Sequence, residues 1–229
     1  MKTLKLIFQS SLGRKYVMAI SGALLFLFVI GHMLGNLQIF LGKDVINAYG
    51  HFLQTSPELL WPARIGLAVL AILHIVTAVQ LARENRAARP QGYDSPKIYA
   101  ASFASQTILF SGLIVLAFIV YHLMHFTFGV VVQPEALSYM ETYKGEPRHD
   151  IYKMMVMGFS NPWISMIYII CMGLLCLHLS HGVSSAFQSL GWKQGPLRGA
   201  IDKFAKISAW VIFLGNCAIP VAVLLGVVK

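Results

Sequence analysis

Five apolar runs of about 20 to 25 residues recur along the chain: Tyr16 to Phe40, Ala63 to Arg83, Thr107 to Val131, Trp163 to Phe187 and Phe204 to Val228. No other feature limits the fold so strongly. A helix rises about 1.5 Å per residue, so each run is long enough to cross the roughly 30 Å of bilayer hydrocarbon, where backbone polar groups must be satisfied internally. Composition agrees, since 57% of the 229 residues are hydrophobic and 12% charged. The mean hydropathy is +0.67, beyond the range of a water-soluble domain. The expected fold is all-α, an integral membrane bundle of five transmembrane helices forming a single domain over residues 1–229.

The first run is about twice the length of a signal-peptide h-region and lacks a convincing small-residue cleavage site, so it is expected to stay in the mature chain. Cys171, Cys176 and Cys217 all fall inside apolar runs, with no CxxC or CxxCH spacing. They form no disulfide framework.

Charge sets the expected orientation. With the N-terminus cytoplasmic, one side carries Lys2, Lys5, Arg14, Lys15, Arg83, Arg86, Arg89, Lys97, Lys193, Arg198, Lys203 and Lys206. The other side carries Lys43, Arg64, Lys144, Arg148, Lys153 and Lys229, mixed with Asp44, Glu58, Glu135, Glu141, Glu146 and Asp150. The positive-inside rule therefore places the N-terminus inside and, after five spans, the C-terminus outside, in a multi-pass protein of the cytoplasmic (inner) membrane. Trp61 and Trp163, at the outer starts of their spans, fit an aromatic belt. The net charge of +9 is then a topology signal, and nucleic acid is not an expected partner. Two longer outer loops, Leu41 to Pro62 and Val132 to Pro162, are too short for a soluble domain. The chain has no GxGxxG and no nucleophile elbow, so it carries no complete dehydrogenase or hydrolase site.

The chemistry lies in the histidines. Of eight, His51 and His149 fall in the outer loops, as solvated or capping residues. The other six are intramembrane, which makes them candidates for function: His32 on the first span, His74 on the second, His122 and His125 on the third, His178 and His181 on the fourth. The first and third spans run outward, and His32 and His122 come three or four residues past their middles, about 5 Å into the outer half. His74 and His178 lie past the middles of two inward-running spans, toward the cytoplasmic half. The pattern is two pairs, one per leaflet.

Two neutral imidazoles on opposite helices, with no carboxylate or thiolate to complete the shell, do not suit tetrahedral zinc. They suit haem, whose porphyrin supplies four nitrogens and leaves two axial positions. The expected cofactors are thus two haems b, with His32 and His122 holding one iron and His74 and His178 the other. Gly31 and Gly35 form a small-xxx-small step beside His32, for close approach of a macrocycle or of another helix. His125 and His181 each follow a ligand by three residues, nearer the surface. With Arg64 outside and Arg14 or Lys15 inside they are candidate haem-propionate contacts. For Arg14, Lys15 and Arg64 snorkelling at a helix end is the competing role.

The stretches "SSLGRKYVMAISGALLFLFVIGHMLGNLQIF", "NAYGHFLQTSPELLW", "LHIVTAVQLARENRAARP", "FIVYHLMHFTFG" and "CLHLSHGVSSAFQSLGW" closely resemble the cytochrome b membrane anchor of succinate dehydrogenases and fumarate reductases, in its single-chain, five-helix, two-haem form. The resemblance runs over nearly the whole chain. It implies the same ligands, His32 in "GHMLGN", His74 in "LHIV", His122 in "YHLM" and His178 in "LHLSHG", paired first with third and second with fourth. It also implies partners: a flavoprotein subunit with covalent FAD, and an iron–sulfur subunit docked on the cytoplasmic face. Electrons would pass between succinate or fumarate and a membrane quinone, with menaquinone the preferred substrate. Some relatives place a quinone-linked carboxylate after the first span, and Glu58 in "SPELLW" is the nearest candidate, with a solvated loop residue as the alternative. Certain fumarate reductases carry a glutamate two residues before the fourth ligand; this sequence has Cys176 there. The rival readings are a stand-alone di-haem membrane oxidoreductase and a transporter with a histidine relay, though the hydropathy shows no pair of interrupted spans of the transporter kind.

Overall fold

The computed structural model describes residues 10–88, 107–131, 135 and 138–229. Lys2, Lys5, Arg89 and Lys97, four of the basic residues used for orientation, lie outside them.

Helix α1 spans Ser11–Leu37, five residues earlier than the apolar run begins, because the Ser10 hydroxyl caps it by accepting from the Gly13 amide at 3.0 Å. A 3-10 turn, Gln38–Leu41, ends it at Gly42, whose φ of 104° favours glycine. The segment expected as a loop then forms helix α2, Lys43–Gln54. It was hidden in the sequence because it is short and two-faced: Ile46, Asn47 and Gly50 are buried, while Val45, Tyr49 and Phe52 are exposed.

Helix α3 spans Pro57–Ala87, so it begins six residues before the expected Ala63, and Glu58 and Trp61, expected in the loop and at the start of the span, stand with Arg64 on its first turns. Pro57 sits at the first position, where its missing N–H costs nothing, and Pro62 is tolerated one turn later. Helix α4, Ile108–His122, passes into a π turn at Leu123–Thr127, so the third span ends four residues before the expected Val131. The second long connection is also structured. Strands β1, Met140–Tyr143, and β2, Glu146–His149, form an antiparallel hairpin with Met140 opposite His149. Its turn places Lys144 and Gly145 at φ 53° and 87°, as a two-residue hairpin turn requires. Helix α5, Ile151–Phe159, follows, capped by Asp150, which accepts from the Lys153 amide at 3.0 Å. His51, on the last turn of α2, and His149, on β2, are therefore in regular elements. Helices α6, Pro162–Ser189, and α7, Leu197–Leu224, complete the chain.

Five of the helical segments, those containing α1, α3, α4, α6 and α7, are long and apolar enough to cross a membrane. Apart from the hairpin the regular elements of the described residues are all helical, and they form a bundle of the multi-pass kind. Large apolar side chains such as Leu24, Ile72, Phe110, Ile167 and Leu214 are exposed on its outside, where lipid is the compatible solvent. Helices α6 and α7 share the largest interface, with Ala205 and Ala209 fully buried one turn apart and letting the backbones approach. Helix α1 packs on α3, α6 and α7, and α4 packs on α6. The first four spans thus form a square in the order α3, α1, α6, α4, backed by α7. Helix α2, the hairpin and α5 cap one end of it.

Candidate functional site

The four spans of the square each supply one histidine, His32 exposed and His74, His122 and His178 half-buried, and the pairs form across its diagonals. His32 of α1 meets His122 of α4 with ring centroids 5.8 Å apart, and His74 of α3 meets His178 of α6 at 6.4 Å. The two meetings occur at different depths. His74 touches α1 at Gly22, ten residues before His32, and His178 touches α4 at Gly112, ten residues before His122. Both helices therefore put the layers about 15 Å apart, at 1.5 Å per residue. On α6, His178 comes ten residues after Tyr168, which contacts His122, and it gives the same spacing.

Three of the four rings have a contact at Nδ1. His74 Nδ1 lies 3.2 Å from the Met18 carbonyl oxygen. A carbonyl only accepts, so Nδ1 carries the proton and Nε2 keeps its lone pair. His178 Nδ1 is 3.3 Å from the Ser111 hydroxyl, which already donates to the Ile108 carbonyl at 3.0 Å and so accepts from the ring. His122 Nδ1 lies 3.5 Å from Tyr168 Oη, at the long end of hydrogen-bonding reach. The His32 ring stacks on Phe28 at 5.4 Å. Glycine makes room for the lower pair: a Cβ at Gly22 would stand 2.9 Å from His74 Cε1, and one at Gly112 3.3 Å from His178 Cε1.

These residues fit a porphyrin iron. Two imidazoles sharing one metal, each with its nitrogen about 2 Å from it, stand with ring centres roughly 6 Å apart, and both diagonals have that separation. Among the described residues no group of three or more His, Cys, Asp or Glu could hold a bare metal ion. The donor set is two imidazoles per layer, which leaves the equatorial ligands to the bound group itself.

The other candidates are placed differently. His125 is 1% exposed, stacked on Phe126 at 3.9 Å, with Nδ1 2.9 Å from Tyr168 Oη. It lies in the wall between α4, α5 and α6. His181 is half-buried one turn beyond His178. Arg14 forms an ion pair with Glu84 of α3, whose carboxylate also accepts from the Ser11 hydroxyl at 2.9 Å. Lys15 is exposed, and the exposed Arg64 stacks over Trp61 at 5.5 Å. Glu58 is exposed on the first turn of α3 and does not line the cavity beside His32. Cys176 is buried in the apolar cluster shared by α1, α6 and α7. Gly31 and Gly35 act separately: Gly35 admits Tyr49 of α2, whose hydroxyl a Cβ would meet at 2.9 Å, while Gly31 faces open space.

Beside His32, at the capped end, lies a cavity of about 160 Å³ lined among others by Asn36, Ile46, Tyr49, Leu53 and Ile151. Above it the cap is held by charge. Lys43 reaches Glu141 at 2.9 Å and Asp150 at 2.8 Å; Arg148, 4% exposed, reaches Glu141 at 2.6 Å and Asp44 at 2.8 Å. Asn47, fully buried, donates to Glu141 and Asp150 and accepts from the Tyr152 amide. Burial alone would raise the pKa of Glu141, but hydrogen bonds from Lys43, Asn47 and Arg148 outweigh it and hold it below the usual value. Asp150 is likewise lowered against burial by Lys43, the Lys153 amide and Asn47, and Lys43 is raised by its hydrogen bonds to Asp150 and Glu141.

Tyr168, Ser111, the Met18 carbonyl and the cap network were not singled out by sequence. The first three are ordinary residue types in apolar runs, and their role comes from a neighbour on another helix. Alternating Lys, Asp, Glu and Arg in two connections was the available sign of the fourth. No family model, no curated protein and no solved structure matches this chain.

Proposed function

We propose that the chain is the di-haem cytochrome b anchor of a succinate:quinone oxidoreductase, a succinate dehydrogenase or fumarate reductase, and carries electrons between an iron–sulfur subunit and membrane quinone. One observation carries the reading: two pairs of imidazoles face each other across the diagonals of one helical square, at 5.8 and 6.4 Å, in layers about 15 Å apart. In this reading His32 and His122 hold the outer haem, His74 and His178 the inner one, and the N-terminus is cytoplasmic. Haem, when bound, supplies one-electron exchange between ferric and ferrous iron without a proton.

The chain's own contribution is placement. The Met18 carbonyl and the Ser111 hydroxyl fix the tautomers of His74 and His178, so that Nε2 keeps its free lone pair on each. Gly22 and Gly112 allow those rings to stand against neighbouring backbone. The cavity beside His32 is the proposed quinone headgroup site, with Tyr49 and Asn36 as its polar groups. Its position next to an outer ligand keeps the electron hop short. The flavoprotein with FAD and the iron–sulfur subunit are the proposed partners, at the end that carries Arg14, Arg83 and Arg86.

The test is gentle purification followed by subunit identification, haem quantitation, a reduced-minus-oxidised spectrum and succinate-driven menaquinone reduction. Two haems b per chain with co-purifying flavin and iron–sulfur subunits are expected. Haem without those subunits, and activity of the chain alone, would favour a stand-alone oxidoreductase. Absence of haem b absorption would remove both haem readings.

A further inference from the structure

Three of the four facing imidazoles have a partner behind them, and the partners differ in kind. Behind His74 is a carbonyl and behind His178 a serine that bonds back to its own helix. Behind His122 is Tyr168, and behind Tyr168 is His125, at 2.9 Å.

The surroundings of this second contact are dry and rigid. Tyr168 is 6% exposed and His125 1%. The tyrosine ring is wedged edge-on against Phe118 at 5.1 Å and Phe159 at 5.0 Å. Gly158 of α5 gives His125 its space, since a Cβ there would lie 3.2 Å from the ring's Nε2, and that nitrogen is buried with no hydrogen-bond partner. A polar ring in such a place is costly unless its other nitrogen makes a strong contact.

The proton directions follow if His122 binds iron, and here the inference rests on the proposed function. A neutral imidazole that ligates through Nε2 carries its proton on Nδ1, so His122 Nδ1–H donates to Tyr168 Oη. The phenol hydrogen then goes to His125 Nδ1, which must accept, and the proton of His125 sits on the unpartnered Nε2. Each of the two contacts then has one donor and one acceptor, and the Nε2–H of His125 is the one donor left without a partner. The reverse order would strip His122 of its proton.

We infer that Tyr168, backed by His125, is a positioning pair that holds His122 and raises the electron density on it, so that the outer centre is a poorer electron acceptor than its two imidazoles alone would make it. An acceptor behind a ligating histidine raises the basicity of that ligand, and the more basic ligand favours ferric over ferrous iron. His125 strengthens the effect by drawing the phenol hydrogen away from the oxygen that His122 uses.

The experiment is a potentiometric titration of both haems in the purified protein, with electron paramagnetic resonance of the ferric state. Tyr168→Phe keeps the ring and removes the oxygen. The expected result is two haems retained and one midpoint raised, so that the reduced-to-oxidised ratio of that centre at fixed potential rises about two- to tenfold, the worth of one hydrogen bond. His125→Leu raises the same midpoint by less, and Ser111→Ala leaves it in place while raising the other. Full haem content with both midpoints unchanged in Tyr168→Phe, or both moving together, overturns the inference. If Tyr168→Phe loses the outer haem, His125→Leu decides: a raised midpoint supports the pair and an unchanged one overturns it. A wild-type protein without haem sinks the functional reading itself.

Discussion

The square of histidines and the cap above it use polar groups in opposite ways. In the cap the charged groups and Asn47 answer one another: Asn47 uses both ends of its amide, and Arg148 lies between Glu141 and Asp44 while stacking on Tyr143 at 3.9 Å. Such a network is closed, and its work is to hold α2, the hairpin and α5 together. In the square, His74 and His178 are satisfied on Nδ1, and the two rings stand 6.4 Å apart with no hydrogen bond between them. Two imidazoles whose ring centroids stand about 6 Å apart, with no hydrogen bond between them, stabilise nothing by themselves. Closed valences mark structure; open ones, repeated at two depths, mark a site for something that accepts them.

The contrast can be broken most directly at the proposed haem ligands. His32→Ala or His122→Ala should remove the outer haem, and His74→Ala or His178→Ala the inner one, halving haem per chain, whereas His125→Ala should keep both. Pyridine haemochrome quantitation reads this, and retention of both haems in His122→Ala with loss in His125→Ala would reverse the assignment on α4. Next in size is the cap: Arg148→Ala takes one partner from Glu141, which keeps Lys43 and Asn47, and one from the exposed Asp44, and should cost about 1.5 kcal/mol of local stability, visible as faster amide exchange in the hairpin, with haem content unchanged. Acid should act on the same cap more gently. The pKa values of Glu141 and Asp150 are lowered by folding, so their contribution is complete above the ordinary carboxylate range and is lost as pH falls below about 4. Protease sensitivity of the hairpin should therefore rise below that pH while the haem spectrum persists longer. The smallest effect is expected from Glu58→Gln, which should leave quinone reduction within about twofold of wild type, since the carboxylate is exposed and lies outside the cavity beside His32.

The histidine pairs were legible in the sequence because depth in a membrane is counted in residues. Knowing where each apolar run starts, and that a helix climbs about 1.5 Å per residue, is enough to sort His32 with His122 and His74 with His178. The same arithmetic failed where hydropathy is mute. Helix α2 is too short and too polar to register as a span, and its buried face is three residues wide. The hairpin was lost for a related reason, since a four-residue strand gives too short an alternation to read. Gly31 and Gly35 looked like one packing step, but Tyr49, brought back by α2, takes only the second.

Length, hydropathy and the position of each histidine along its run are properties of the linear chain, and they determined by themselves that this is a five-span bundle with imidazoles at two levels. Which way each ring turns belongs to the tertiary structure. A helix's rotation about its own axis is set by the neighbours it packs on, and the proton on each imidazole is set by an atom from another helix: Met18 for His74, Ser111 for His178, Tyr168 for His122. Those partners lie from 46 to 67 residues away in sequence, and only folding brings them within reach.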